Sequence, residues 1–408
     1  MEKTAAMVLA GGRGKRMDIF CQRRPKPILS FAGNYRVIDF TLSNCVNSQI
    51  GKMAILVDYQ RSTMTEYLNQ WSLINAGSGD LSILPPKTGS YSGTAGAVYQ
   101  NLEYLIRQGG ERVLILAGDH VYKMDYRKML LFHDESGADV TIAVIRVPVE
   151  QAYRFGTITA EAGGRVTEFV EKSSNPRSCL ASMGIYVFNN NFLAKCLAED
   201  TGDSNSLHDF GYSILPRIVE RSRVFAYQFN GYWQDIGTVE AYYEANLQLL
   251  KSNPGLDVND NWPIFTGSPA LPLTAQNNFG KINNSMISPG CSIEGYVENS
   301  ILSPGVRVEK GAQVINSVVM SNTSIGENSV IDRCILDEGV DIGTFCQVGL
   351  RNEPTEEPFG ITMVGENVNL PHRTTIGCKS KILPGLRLSD LNTWLIAPGS
   401  VISAPSMA

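Results

Sequence analysis

The stretch "VRVEKGAQVINSVVMSNTSIGENSVIDRCILDEGVDI", Val306 to Ile342, decides the architecture of the C-terminal part of the chain. Apolar or small residues return every six positions, at Val306, Ala312, Val318, Ser324, Val330, Leu336 and Ile342, and Gly305 and Gly311 keep the same phase. A beat of six marks hexapeptide coils, in which each side of a coil turns one residue inward. An antiparallel meander would show stronger alternation with period two. A second stretch of the same texture, "TIGCKSKILPGL" (375–386), follows the interruption "RNEPTEEPFG" (351–360), so the coil is expected to resume there. Stacked coils bury a continuous core and leave flat faces suited to subunit contact.

Upstream the texture is different. Short β-branched runs, "AAMVLAGG" (5–12), "MAILVDY" (53–59), "RVLILAGD" (112–119) and "VTIAVIRV" (140–147), end at turn or polar residues. Helix-like segments such as "AGAVYQNLEYLIRQGG" (95–110) and "YRKMLLFHDESG" (126–137) lie between them. This order predicts an α/β fold with a mostly parallel mixed sheet covered by helices. Ligands of such sheets sit at the carboxyl ends of the strands. After "EANLQLLKSNPGLDVNDNWPIF" (244–265) the helical patterns stop. The expected division is an α/β domain over 1–255, a linker over 256–285 and a coil domain over 286–408.

The bulk numbers exclude several classes. The chain has 408 residues, 43% hydrophobic and 18% charged, with a formal net charge of −5. No basic surplus argues for nucleic acid or an anionic membrane surface. No apolar run approaches the roughly 18 residues of a membrane span. The start, "MEKTAAMVLAGG", lacks the long apolar core and small-residue cleavage site of a signal peptide. Eight scattered cysteines without a C-x-x-C read as the reduced thiols of a cytoplasmic protein, and four dispersed histidines speak against zinc.

The loop "VLAGGRGKRM" (8–17) follows the first strand. It lacks the G-x-x-x-x-G-K-[ST] spacing, and Gly11, Gly12 and Gly14 lack the third glycine of a dinucleotide fingerprint. Arg13, Lys15 and Arg16, with Arg24 and Lys26 beyond, leave two readings open. One is a plain turn with a solvated basic patch. The other is a triphosphate cradle, in which glycines free backbone donors and cations add charge. Asp119, closing "RVLILAGD", is likewise either a turn cap or a reacting-site carboxylate. Glu171 and Lys172, in "EFVEK", fit a surface strand as readily as a site. Alternate residues of a strand face opposite ways, so a shared role requires a bend or strand end there.

Taken together, "LAGGRGKRM", "PKPILSF", "YRVIDFTLSNCVNSQI", "SGTAGAVYQN", "LAGDHVYKMDY", "FGTITA", "EFVEKSSNP", "ASMGIYVF", "HDFGYSILP" and "GYWQDIGTVEAYYEANLQLL" resemble the ADP-glucose pyrophosphorylase (glucose-1-phosphate adenylyltransferase) family across nearly the whole chain. The resemblance implies a Rossmann-like nucleotidyltransferase domain followed by a left-handed parallel β-helix. It implies attack of a sugar 1-phosphate on the α-phosphorus of an NTP, with ATP and α-D-glucose 1-phosphate the expected pair. On that resemblance Arg16, Lys26 and Asp119 are catalytic. Asp119 and Asp235 hold Mg2+, whose hard character suits carboxylate oxygens. Leu9, Gly11, Gly12, Gly14, Gly93 and Thr94 line the nucleotide. Tyr91, Gly156, Glu171, Lys172 and Ser182 line the sugar 1-phosphate. Arg36 and Arg107 are candidate effector contacts, and a homotetramer is the family norm.

The sequence departs from that family in four places. "ILPPKTGSYSGT" offers Lys87 and Thr88 where the family has a glutamine that reads adenine; a lysine only donates, which suits guanine. Asn34 replaces a lysine that binds a phosphorylated activator. Asp58 stands where a glutamine is usual, and Gly96 and Gln234 replace polar and basic neighbours of the site. Alternatives are therefore the same chemistry with another base or sugar, such as GTP with a cyclitol 1-phosphate, or a non-catalytic regulatory subunit. A hexapeptide acyltransferase would need a catalytic histidine in the coil, and His372 in "NLPHRTT" lacks that setting.

Overall fold

The computed structural model describes residues 4–269, 280–350, 360–387 and 394–403. The chain forms two compact units, each assembled from separate segments. The first is Met1–Arg13, Val37–Asp235 and Asn259–Gly267; the second is Gly14–Arg36, Ile236–Val258 and Ser268–Ala408.

The first unit is built on a nine-stranded sheet. Its strands are β1 (Thr4–Leu9), β2 (Lys52–Leu56), β3 (Asp80–Leu84), β4 (Arg112–Ala117), β5 (Val140–Arg146), β6 (Gly156–Ala160), β7 (Val166–Glu171), β8 (Leu180–Asn189) and β9 (Val224–Gln228). The main path runs β7-β6-β8-β4-β1-β2-β3, with β5 paired to both β8 and β9. Strands β4, β1, β2 and β3 are parallel; β8 is antiparallel to both β4 and β5, which makes the sheet mixed as expected. Helices cover a parallel core on both faces, so its strands are apolar throughout rather than alternating. Ala5, Ala6, Met7 and Val8 of β1 are all buried, as are Val113 to Leu116 of β4.

The helical stretch 95–110 is two helices, Gly93–Gln100 and Leu102–Gln108, broken at Asn101. The Asn101 Nδ2 donates to the Ala97 carbonyl at 2.9 Å and to the Tyr91 hydroxyl at 3.0 Å. A side-chain amide that bonds locally competes with the helix ladder. Helix Tyr126–Glu135 forms where expected, with Asp125 capping the Arg127 N–H at 3.0 Å.

The coil part of the second unit is three parallel sheets, of seven, seven and five strands. In one sheet Val297 pairs with Val314, Val314 with Ile331 and Ile331 with Val348. Each of these coils therefore advances by seventeen residues (314 − 297) rather than eighteen. The buried row runs Val308, Val314, Val319, Ile325, Ile331, Leu336, Ile342, Val348, so one side of each coil holds five residues and the others six. This corrects the strict count of six. Ser324 and Val330 are only half-buried, and Ile325 and Ile331 take the inward places. Leu336 pairs with Val364, so the next coil carries an excursion; residues 351–359 of it lie outside the described residues. Stacking then resumes through Thr375–Gly377 and Lys381–Ile382, as the sequence predicts.

The two units cut the chain differently from a linear division at 255 and 285. Gly14–Arg36 and Ile236–Val258 group with the coils, and Asn259–Gly267 groups with the sheet. Of the expected linker, residues 270–279 lie outside the described residues. The cause of the regrouping is a buried ion network. Arg24 bonds Asp337 and lies 3.2 Å from Glu338, and Arg36 pairs with Glu338. Ser30 donates to Glu338 at 3.1 Å, and Arg36 donates to the Ser30 hydroxyl at 2.8 Å. Helix Val239–Gln248 closes the other side: the Tyr242 hydroxyl donates to the Ser30 carbonyl at 2.6 Å, and Asn246 accepts from the Ala32 N–H at 3.0 Å.

The two acids of this network differ. Burial outweighs Arg24 at Asp337 and pushes its carboxyl up to about 6. At Glu338 burial acts the same way, but Arg36 and then Arg24 outweigh it and hold the carboxyl down to about 2. A depressed carboxyl stabilises the fold above its unfolded value of 4.5, and that contribution is lost as pH falls toward about 2. A raised one contributes no such stability. Glu338→Gln, which takes the acid from Arg36, and Asp337→Asn, which leaves the buried Arg24 without its nearest acid, are each expected to cost about 3 kcal/mol or more at pH 7.5. The cost of Glu338→Gln should shrink as pH drops below 4.5, read from denaturant unfolding of the three proteins across pH.

Candidate active site

Asp119 leaves the end of β4 through Gly118. A Cβ on Gly118 would lie 2.9 Å from Val8 Cγ1 and 3.1 Å from the Leu9 carbonyl, so only glycine lets the chain cross the end of β1. The Gly118 N–H donates to that carbonyl at 3.0 Å. The next residues, His120–Tyr122, pair antiparallel with Trp233–Asp235, and His120 stands opposite Asp235. This ladder brings together the two carboxylates that the sequence separates by 116 residues (235 − 119). The His120 Nε2 lies 3.7 Å from Asp119 and 3.9 Å from Asp235. Its Nδ1 faces the Met183 carbonyl at 3.2 Å, so that nitrogen carries the proton. The edge of the ring rests on Trp233 at 5.2 Å.

Two residues here escaped the sequence reading. His120 was visible only as the neighbour of Asp119, and its role emerges from strand register. Arg154 lies 3.7 Å from Asp235, over the Phe155 ring, and its buried Nη2 has no hydrogen-bond partner in the structure. Nothing in "YRFG" distinguishes Arg154 from a surface cation. The donor set is two carboxylates, and among the described residues no group of three or more His, Cys, Asp and Glu side chains could hold a metal. Two hard oxygens fit Mg2+, which retains waters and shares its shell with phosphates.

Glu171 and Lys172 lie side by side in space. Glu171 ends β7, and Lys172 takes φ +45°, the left-handed turn that lets two successive side chains lie on one side. The Lys172 Nζ is 3.0 Å from the Glu171 carboxylate and 5.8 Å from the Tyr212 ring centre. Burial alone would lower the Lys172 ammonium; Glu171 outweighs it and raises it. The Glu171 carboxylate is wedged between two glycines: a Cβ on Gly156 or Gly211 would lie 2.5 or 2.6 Å from its Oε2. Ser182 is buried on β8, with its hydroxyl accepting from the Gly184 N–H at 3.3 Å.

Gly93 opens its helix at φ +86°, where a Cβ would meet the His208 carbonyl at 2.5 Å. The Thr94 hydroxyl donates to Asp209 at 2.8 Å and accepts from the Phe210 N–H at 3.0 Å. The Tyr91 hydroxyl donates to the Leu84 carbonyl at 2.8 Å. Both hydroxyls named from the resemblance are thus used in building the loops around them. Gly11 is half-buried beside Asp58, and Gly12 is exposed with open space around it. Leu9 ends β1.

Gly14, Arg16 and Lys26 belong to the second unit. Gly14 has φ +60° and packs against Cys21 and Lys26, where a Cβ would come within 3.1 Å of both. Lys26 is buried in a short turn, Lys26–Ile28, and Arg16 is exposed. Arg36 is engaged with Glu338 in the same unit, whereas Arg107 is an exposed residue of the first.

Comparison with known proteins agrees with this geometry. Residues 5–252 match the nucleotidyl transferase family and residues 269–369 the GlmU-like C-terminal hexapeptide family. The fold and site thus define a nucleotidyltransferase with a hexapeptide coil. Three glucose-1-phosphate adenylyltransferases narrow the class. That of Thermomicrobium roseum is 42% identical over 99% of this chain and 98% of its own. That of Acetivibrio thermocellus is 42% identical over 91% of each chain. That of Bacillus cereus is 46% identical over 82% of this chain and 92% of its own. The chain belongs to the glucose-1-phosphate adenylyltransferase family, a family of sugar-phosphate nucleotidyltransferases. No helix among the described residues is long and apolar enough to cross a membrane.

The wedging of Glu171 gives a sharp expectation. Gly156→Ala should displace that carboxylate and raise KM for the sugar 1-phosphate by about tenfold, with a much smaller change in KM for the NTP. Steady-state pyrophosphate release with each substrate varied in turn checks it.

Proposed function

We propose that the chain forms ADP-glucose and pyrophosphate from ATP and α-D-glucose 1-phosphate, with Mg2+ as its metal, for α-glucan or glycogen synthesis. The carrying observation is the ladder that sets Asp119 and Asp235 at one imidazole. Both reactants are anionic, so catalysis rests on positioning and charge. Asp119 and Asp235 would hold the metal, which when bound supplies Lewis-acid stabilisation of charge on the phosphates. Lys172 holds the phosphate of the sugar 1-phosphate, and Glu171 accepts from sugar hydroxyls. Gly156 admits the sugar to the backbone, and Ser182 and Tyr91 shape the pocket. Leu9, Gly11, Gly12, Gly14, Gly93 and Thr94 line the nucleotide, and Arg16 and Lys26 offset charge on the departing pyrophosphate. No covalent nucleophile is needed: a phosphate oxygen of the sugar 1-phosphate displaces pyrophosphate at the α-phosphorus. The domain reading, a catalytic part over 1–255 and a coil domain over 286–408, goes with this assignment, as does a homotetramer in the cytoplasm.

One observation bears on the base. The Lys87 ammonium lies 3.1 Å from Glu103, and its backbone N–H donates to Gln100 at 3.2 Å. The donor that favoured guanine thus faces an acid at the surface, which is compatible with ATP. Arg36 is capped by Glu338 and Asn34 is uncharged, so fructose 1,6-bisphosphate is expected to activate only weakly.

A nucleotide panel tests the reading. With glucose 1-phosphate, pyrophosphate release should be fastest with ATP; GTP or UTP turning over about ten times faster than ATP would overturn the assignment. Asp119→Ala should abolish turnover with the fold intact, and retained activity would remove Asp119 from the mechanism.

A further inference from the structure

The turn between β2 and helix Arg61–Ile74 touches two loops of the proposed nucleotide site at once. Asp58 accepts the Tyr91 N–H on Oδ2 at 3.1 Å and the Arg61 Nη2 on Oδ1 at 3.0 Å. Arg61 Nε donates to the Asp58 carbonyl at 3.0 Å, and its Nη2 also donates to the Gly89 carbonyl at 2.5 Å. One acid and one base therefore grip loop 85–92 at Gly89 and Tyr91. The same turn lies against the glycine loop. A Cβ on Gly11 would stand 3.0 Å from the Asp58 Cβ, the Tyr59 N–H donates to the Gly11 carbonyl at 3.4 Å, and Arg13 lies over the Tyr59 ring at 5.7 Å. Gln60 is held at φ +48°, a conformation a non-glycine residue adopts only at a cost.

The grip has little to do with stability. Arg61 is 42% exposed on its side chain, and exposed ion pairs contribute little to a fold. What it does is fix a loop rich in glycine and serine, "KTGSYSG", that would otherwise lose much freedom when a ligand binds.

We propose that Asp58 and Arg61 are positioning residues for the nucleoside triphosphate. They set loop 85–92 against the glycine loop at Gly11 before the nucleotide arrives. The proposal rests on the reading of Gly11, Gly93 and Thr94 as nucleotide-lining. Neither residue touches reacting atoms; both act through Tyr91, Gly89 and Gly11.

The test uses the full chain with Arg61→Gln, Arg61→Lys, Asp58→Asn and the Asp58→Asn/Arg61→Gln double variant. Arg61→Gln should raise KM for ATP about tenfold, with kcat changed less than about twofold and KM for glucose 1-phosphate rising no more than about threefold through Tyr91. Arg61→Lys, which keeps charge but not the fork, should recover only part of the loss. The double variant should be no worse than the poorer single one, since both break one device. Trypsin cleavage after Lys87, mapped by mass without substrates, should run several-fold faster in Arg61→Gln at an unchanged unfolding midpoint. An unchanged KM for ATP in Arg61→Gln, or equal losses for both substrates, would overturn the proposal. Wild-type protein that releases no pyrophosphate with any NTP would instead sink the functional reading. In that event unchanged cleavage after Lys87 would still overturn the grip on the loop.

Discussion

Two arginines carry charge into the packing of the coil unit, and neither tolerates being left there alone. Removing a guanidinium from water costs several kcal/mol unless an acid and further hydrogen bonds meet it. Arg24 is buried and Arg36 partly so, and both find their acids on one turn of the coil, at Asp337 and Glu338. The rest of the second unit is arranged around that requirement. Ser30, the Ala32 backbone and helix Val239–Gln248 are tied into the same knot. Lys381 and Asp18 add a second tie between the basic segment and a later coil. The segment bearing Arg16 and Lys26 is thus held in its unit by side chains more than 300 positions away.

That knot is why the make-up of the two compact units could not be read from the sequence. Composition changes near residue 250, and a reader of composition draws linear boundaries at 255 and 285. The chain, however, lends two earlier pieces, Gly14–Arg36 and Ile236–Val258, to the coil, and charges paired across 313 residues leave no local pattern. The coil itself was plain in the sequence because inward positions recur. Its exact count was not, because Val318 and Val319 are both apolar, and only pairing shows that Val319 belongs to the inward row. The parallel core was legible for the reason that β1 and β4 are apolar at nearly every position, which no half-exposed strand would be.

The site was legible in parts. Glycines, Asp119 and Lys172 stand at strand ends, where an α/β sheet presents ligands. The need for a bend at Glu171 and Lys172 was readable from strand alternation, and the positive φ at Lys172 supplies it. His120 and Arg154 were not legible, because their meaning lies in what they face. His120 acquires it from register with Asp235, and Arg154 from a carboxylate 81 positions on (235 − 154). Thr94 and Tyr91 show the converse. Their hydroxyls are spent on neighbouring loops, so in the structure they shape loops more than they stand as free donors.

The knot at Arg24 and Arg36 also sets an order of events. A ribosome delivers the chain from its N-terminus, and domains generally form as their residues emerge. Here the two arginines emerge early, and their acids follow 313 and 302 residues later. A nascent chain carrying the whole sheet still has an unclosed basic segment, exposed to solvent and to any polyanion nearby. The coil ends that interval when its turn at Asp337 and Glu338 arrives. Synthesis of the last third of the protein therefore acts as a clock on the first, and the segment bearing Arg24 and Arg36 reaches its final setting only after Glu338 has been made.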